Sequence, residues 1–164
     1  MTGSSEWILI TGVYGPHVPR EQKIFLKDLQ TTRRIFSGIP WIVGGDFNMI
    51  RTMEEKRGGI NRPDQNMEEF SEMITKQRLV DIPTINDIHT WNNRRGGRNQ
   101  IASRLYRFLI SEQIMNMNVF VEATIMSAMG SDHWPIRLEI DIKKTPSKDL
   151  LGLRLSGSGI LSFY

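Results

Sequence analysis

Apolar residues recur along this chain in short dense runs separated by polar loops, and their spacing switches between every second position and every third or fourth. Residues 6–14, Glu-Trp-Ile-Leu-Ile-Thr-Gly-Val-Tyr, have few polar interruptions and stop at Gly15-Pro16, which predicts a buried strand ending in a turn. From Pro19 to about Phe36, Ile24, Phe25, Leu29 and Ile35 fall near helical spacing among charged residues and predict an amphipathic helix. Gly38-Ile39-Pro40 ends it, and the apolar run Trp41-Ile42-Val43-Gly44-Gly45 predicts a second strand that opens directly into Asp46-Phe47-Asn48. Residues 51–64 read as a polar loop, with Glu54, Glu55, Lys56 and Arg57 as a solvated charge run. Met67, Phe70, Met73 and Ile74 then mark a second helix. Short strands are expected at 80–85 and 88–91 around an Asn-Asp turn, followed by a polar loop over 92–100. Three more strands are expected at 103–110, 119–125 and 134–142, the last with Ile136, Leu138, Ile140 and Ile142 alternating on one face.

Strands mixed with helices, and clustered late in the chain, predict α/β or α+β layers in one domain over 1–142, with a flexible polar tail over 143–164. The 164 residues contain no cysteine, which excludes disulfides, a Cys-based zinc site and a Cys nucleophile. No apolar run is long enough to cross a bilayer and no signal-peptide layout is present, so the expectation is an intracellular protein with no membrane partner. A net charge of +3 suits a polyanionic partner without specifying one.

Candidate chemistry gathers at strand ends. Asp46 and Asn48 place a carboxylate and a carboxamide at the mouth of one strand, Asp132-His133 an acid and an imidazole before another, and Tyr14 a phenol at the end of a third. Singly, Gly-Asp and Ser-Asp are ordinary turn formers; together the three strand ends suggest one convergent polar site. Trp91 is followed by Arg94, Arg95 and Arg98, with Arg104 and Arg107 further along, a basic stretch beside an aromatic that could stack on bases. A solvated hairpin with Trp91 in the core is the equally weighted plain reading. Trp41 is expected in the core, Met115, Met117, Met126 and Met129 as pliable filler of core or edge, and His17 and His89 as surface or loop residues.

Five blocks in order carry a resemblance: Val13-Tyr14-Gly15-Pro16, residues 41–48, Thr90-Trp91, residues 103–111, and Ser131-Asp132-His133-Trp134-Pro135-Ile136. They resemble the endonuclease/exonuclease/phosphatase superfamily, and within it the apurinic-type endonuclease domains of non-LTR retrotransposons. The resemblance implies a DNase I-like sandwich of two mixed β-sheets flanked by helices, incomplete at its N-terminus, and a magnesium- or manganese-dependent phosphodiester-hydrolysing site for DNA. Under it Asp46 would orient and deprotonate water, Asn48 would bond the phosphate, and Tyr14 would contact the phosphate or its leaving group. Asp132 would hold the metal, and His133 would donate to a non-bridging oxygen. Trp91, Arg94, Arg95 and Arg98 would meet the nucleic acid, and DNA as partner would imply the nucleus and the rest of a longer polyprotein.

Three departures accompany the resemblance. The family's upstream metal-binding Glu has no counterpart, since Glu6 precedes the strand leading to Tyr14; Tyr106 stands where the family has the Asp that orients the imidazole; and Gly12 replaces an Asn. A phenol brings no negative charge at neutral pH, so His133 loses that support. The expectation is therefore an inactive or weakly active nuclease domain, with a non-catalytic remnant that binds nucleic acid weakly as the alternative. A third reading keeps the superfamily and exchanges DNA for an inositol or lipid phosphodiester.

Overall fold

The computed structural model describes residues 7–60, 62–63, 65–117, 119–142 and 159–163. Strand β1 (Leu9–Tyr14) runs into helix α1 (Pro19–Ile35) and returns as β2 (Trp41–Asp46), parallel to β1. After the two-residue β3 (Lys56–Arg57) come helix α2 (Gln65–Lys76), β4 (Leu79–Ile82), β5 (Trp91–Asn92) and β6 (Ala102–Ser103). The chain continues through β7 (Tyr106–Ser111), the short helix α3 (Glu112–Met115), β8 (Val119–Ile125), β9 (Ile136–Ile142) and β10 (Gly159–Phe163). A four-stranded mixed sheet has the order β1-β2-β7-β4, an antiparallel sheet the order β10-β9-β8, and a small ribbon the order β3-β6-β5.

The layering follows from strand periodicity. In β2 and β7 every side chain is buried, because both faces of the central sheet are covered. Trp41, Val43 and Leu109 point to one face and join Leu26, Leu29, Phe70 and Met73 of the helices. Ile42, Phe108 and Ile110 point to the other and join Ala123, Ile125, Ile136 and Leu138 of the second sheet. Helices, mixed sheet and antiparallel sheet thus form three layers with a core on each side of the middle one. Trp41 is a core residue, its indole N–H donating to Thr11 Oγ1 at 2.8 Å.

Several expectations are corrected. In α1 the buried face is Gln22, Leu26 and Leu29, while Ile24 and Ile35 face solvent, because the Gln22 amide donates to the carbonyls of Pro16 and Asn48 and ties the helix to the loop after β2. The loop over 51–64 contains a 3-10 turn, Met53–Glu55, and β3, and Glu55 is buried rather than solvated. The strand expected at 80–85 ends at Ile82, and of 88–91 only Trp91 is in a strand; Ile85 and Ile88 are exposed. The run 103–110 is two strands, broken where Arg104 turns inward to acids. Within the expected tail, residues Gly159–Phe163 pair antiparallel with β9, Gly159 opposite Ile140 and Phe163 opposite Ile136. Ladder hydrogen bonding makes that segment a strand; the tail's other residues lie outside the described ones.

Candidate functional site

Three strands end in register at one rim of the mixed sheet. Tyr14 of β1 lies opposite Asp46 of β2, and Asp46 opposite Tyr106 of β7, so a phenol, a carboxylate and a second phenol form a row across the sheet. Tyr14 is exposed, whereas Asp46 and Tyr106 are buried. The close approach that makes this row requires glycine. Gly45 has φ +136°, and a Cβ there would stand 2.1 Å from the Val13 carbonyl oxygen of the neighbouring strand. One at Gly15 would stand 2.2 Å from the Phe47 carbonyl oxygen.

Beyond β2 the chain folds over its own acid. The Asn48 backbone N–H donates to Asp46 Oδ1 at 2.9 Å, with Asn48 in the left-handed region at φ +51°, and its side-chain Nδ2 donates to the Gly15 carbonyl at 2.6 Å. An Asx turn of this kind suits Asn, which tolerates positive φ. One oxygen of Asp46 is thereby engaged and the other left open.

The open oxygen meets His133. Asp46 Oδ2 and His133 Nδ1 are 3.7 Å apart, and both atoms are buried without a hydrogen-bond partner. His133 comes from the loop before β9, held by its own N–H donating to Ser131 Oγ, by a bridge to Trp91, and by the Trp134 N–H donating to the Thr90 carbonyl. Its ring stands edge-on to Tyr106, with centroids 5.6 Å apart. Burial pushes the Asp46 carboxyl above the ordinary aspartate value, against the Asn48 N–H and the His133 and His17 imidazoles, which pull it down. Burial, and then the charges of Asp46, Tyr14 and Asp132, push the Tyr106 phenol up as well.

Asp132 sits beside this group, half-buried, its Oδ2 accepting from the Trp91 indole at 3.3 Å. A magnesium ion needs oxygen donors converging on one point, commonly one or two carboxylates completed by water and phosphate. Among the described residues no three His, Cys, Asp or Glu converge on one point, and the open Asp46 oxygen faces an imidazole nitrogen. Asp132, whose Oδ2 accepts from Trp91, keeps its other oxygen as a donor that could meet such an ion together with water and phosphate.

The basic stretch divides. Arg94, Arg95 and Arg98 are exposed on the hairpin loop between β5 and β6, which lies against the His133 loop: the Asn92 N–H donates to the Asp132 carbonyl at 3.1 Å and the Arg94 guanidinium to the Gly130 carbonyl. Trp91, half-buried and so not wholly in the core, links the hairpin to Asp132 through its indole N–H. Arg104 and Arg107, by contrast, are buried among Glu55 and Asp81, with contacts of 2.7–3.0 Å. The Arg107 guanidinium also lies 5.1 Å from the Phe70 ring centroid. These two cations organise the entry to β7 and are unavailable to a ligand. Burial alone would raise Glu55 and Asp81, yet the arginines overcome it and hold both carboxyls below their ordinary values.

Two further residues serve the site without having been singled out. His17, read as a surface residue, stands exposed at the rim with its ring 6.3 Å from that of Tyr14 and its charge within reach of Asp46. The signal was its place just after the Gly15-Pro16 turn. The buried Thr90 hydroxyl accepts from the N–H groups of both Leu105 and Tyr106 at 2.9 Å and so fixes where β7 begins. Nothing in the sequence distinguishes it from any other strand threonine.

No family model matches the chain, and no curated protein matches it. A solved structure does: the endonuclease domain of TRAS1, a telomere-specific non-LTR retrotransposon, is similar over 74% of this chain with a TM-score of 0.58 at 19% sequence identity. The match covers 52% of that domain, so the chain spans about half its length. This agrees with the resemblance carried by the five sequence blocks, and the chain has the DNase I-like fold of a non-LTR retrotransposon endonuclease domain.

Proposed function

We propose that the chain is a nuclease-type domain that engages a nucleic-acid phosphodiester at the Asp46–His133 pair and hydrolyses it slowly or not at all. The carrying observation is that pair itself: two buried polar atoms, 3.7 Å apart and each without a hydrogen-bond partner, at the rim of the sheet. Unsatisfied buried groups are costly, and they persist where a ligand or a reacting group will meet them. A protonated His133 directs Nδ1–H toward Asp46 and leaves Nε2–H to donate to a non-bridging phosphate oxygen. Asn48, bonded to Asp46, and Tyr14, opposite Asp46 on the neighbouring strand, would add polar contacts to the phosphate, and Arg95 and Arg98, which form no ion pair among the described residues, would neutralise neighbouring phosphates.

The same pair argues for weak chemistry. The resemblance gives Asp46 the attacking water, yet its open oxygen faces the imidazole, and Tyr106 supplies no charge in the row where an acid would serve. One carboxylate is asked to perform two tasks. The purified chain should therefore bind duplex DNA with an affinity that falls steeply with salt, and should cleave supercoiled plasmid and an abasic duplex with magnesium no faster than His133→Ala. Cleavage that disappears in His133→Ala would overturn the weak-chemistry part. Absence of salt-sensitive binding would overturn the nucleic-acid part.

A further inference from the structure

Strand β1 is an edge of the mixed sheet, and the phase of its bonding to β2 decides which of its backbone groups are left over. The Leu9 N–H donates to the Pro40 carbonyl at 2.8 Å, and the Gly15 N–H to the Asp46 carbonyl at 2.6 Å. In a parallel ladder alternate residues bond the same neighbour, so Leu9, Thr11, Val13 and Gly15 turn toward β2, and Ile10, Gly12 and Tyr14 direct their N–H and C=O groups outward. Those three are also the exposed residues of the strand. No charged residue lies between Trp7 and Pro16, whereas the opposite edge, β4, is four residues long and contains Asp81. Charge and brevity are the usual protections of an edge, and β1 has neither.

The outward groups are self-complementary. An antiparallel copy of β1, related by a two-fold axis through Gly12, places Gly12 opposite Gly12, and Ile10 opposite the partner's Tyr14 on both sides of the axis. Every outward N–H and C=O of the two strands is then paired. Moving the axis to Val13 would set Ile10 against Pro16, which has no N–H, and moving it to Thr11 would set Tyr14 against Ile8, which precedes the strand. The Gly12 register also brings the two exposed large side chains, 50% and 72% accessible, into cross-strand contact, an aromatic against a β-branched residue. Ile8, packed at the margin of the core that contains Ile42 and Leu138, lies on the same face, so the new contact continues an existing apolar surface.

We propose that β1 is the interface for a second copy of this chain, joined antiparallel about a two-fold axis at Gly12 into one continuous sheet. A pairing that uses the same strand on both sides closes at two copies and leaves no edge for a third. The interface reaches the site. Tyr14 stands opposite Asp46 at the rim, so Ile10 of the second copy would pack on a residue of the Asp46–His133 group. Because the strands run antiparallel, the two rims face opposite ways and neither copy closes the other's site. The pairing itself does not depend on what that site binds.

The test uses sedimentation of the full chain and thiols introduced into it, which are the only ones present because the sequence contains no cysteine. Wild type should sediment as a monomer–dimer equilibrium without larger species. A mixture of Ile10→Cys and Tyr14→Cys should form about tenfold more disulfide-linked dimer in a glutathione buffer than either variant alone, because opposed residues would lie about 5.5 Å apart between Cα atoms and like residues about 14 Å apart. Equal cross-linking in the mixture and in the single variants would overturn the register. A monomer at every concentration would overturn the interface and leave the edge to a different chain, and steady growth into larger species would overturn the closed two-fold pairing.

Discussion

Asp46 and Arg107 are both buried, and they stand on opposite sides of the stability account. The Asp46 carboxyl is raised by burial, so ionising it costs the folded state more than the unfolded one. Its unfavourable contribution grows as pH rises from about 3.9, the unfolded value, through the folded one, and is complete above that. Asp46→Asn keeps an oxygen for the Asn48 N–H and should stabilise the protein by about 1 kcal/mol near neutral pH while weakening phosphodiester binding. Thermal melts at pH 7.5 check this, and a lower melting temperature would contradict it. Arg107 is the reverse case. It is completely buried and pairs with Glu55 and Asp81 together, so Arg107→Ala leaves the two buried acids with Arg104 alone as their shared cation and opens a cavity, and should cost about 3–5 kcal/mol in urea unfolding.

At the level of elements, the contact between β1 and β2 decides whether the site exists. The pairing runs parallel from Leu9 opposite Trp41 to Tyr14 opposite Asp46, and it closes tightly only because Gly45 lacks a side chain. Gly45→Ala combines an unfavourable φ with a clash against the Val13 carbonyl, and should destabilise by about 3 kcal/mol or more. Denaturant midpoints measure the loss, and nucleic-acid affinity should fall with it, since Tyr14 and Asp46 are the residues displaced. A midpoint unchanged from wild type would mean that the two strands can separate without penalty. The split between β6 and β7 is the other element-level feature, where the Thr90 hydroxyl and the inward-turned Arg104 end one strand and begin the next. Read along the chain, residues 103–110 alternate well enough to pass for one strand, because periodicity registers which side chains are apolar and not where the backbone breaks.

For the whole molecule, β1 and β4 are the edges of the mixed sheet among the described residues. Strand β1 pairs with β2 alone, and its alternate residues Ile10 and Tyr14, with Trp7 just before them, are exposed. An uncharged edge strand of this kind pairs with other chains. Ile10→Lys should shift sedimentation profiles toward monomer and reduce scattering on concentration, while costing no more than about 1 kcal/mol of unfolding free energy. The acid limit of the molecule lies on its other side. Glu55 and Asp81 have folded values below their unfolded ones, so the stability they contribute is complete above about pH 4.3 and is lost as pH falls through the folded values. Unfolding followed from pH 6 to pH 2 should show a steep loss beginning below about pH 4. A flat profile there would mean that the buried network contributes nothing.

Local pattern was sufficient for much of this protein. Helices and long strands were legible because burying one face imposes a period, and the order of the five motifs was legible because each is contiguous in the chain. Membership of Tyr14, Asp46, Asn48, Asp132 and His133 in one rim followed from their place at strand ends. What needed the assembled molecule was every property created by residues distant in sequence. Arg104 and Arg107 look like surface cations until Glu55 and Asp81 arrive beside them, and Glu55 looks like part of a solvated run until it does. Whether Asp46 faces water or an imidazole, whether residues 159–163 hang free or pair with β9, and whether Met129 fills a core or stands in solvent are likewise set by which surfaces meet. Periodicity reports the environment a residue can enter; desolvation and hydrogen-bond partners, which fix its charge and its role, exist only once the layers have closed.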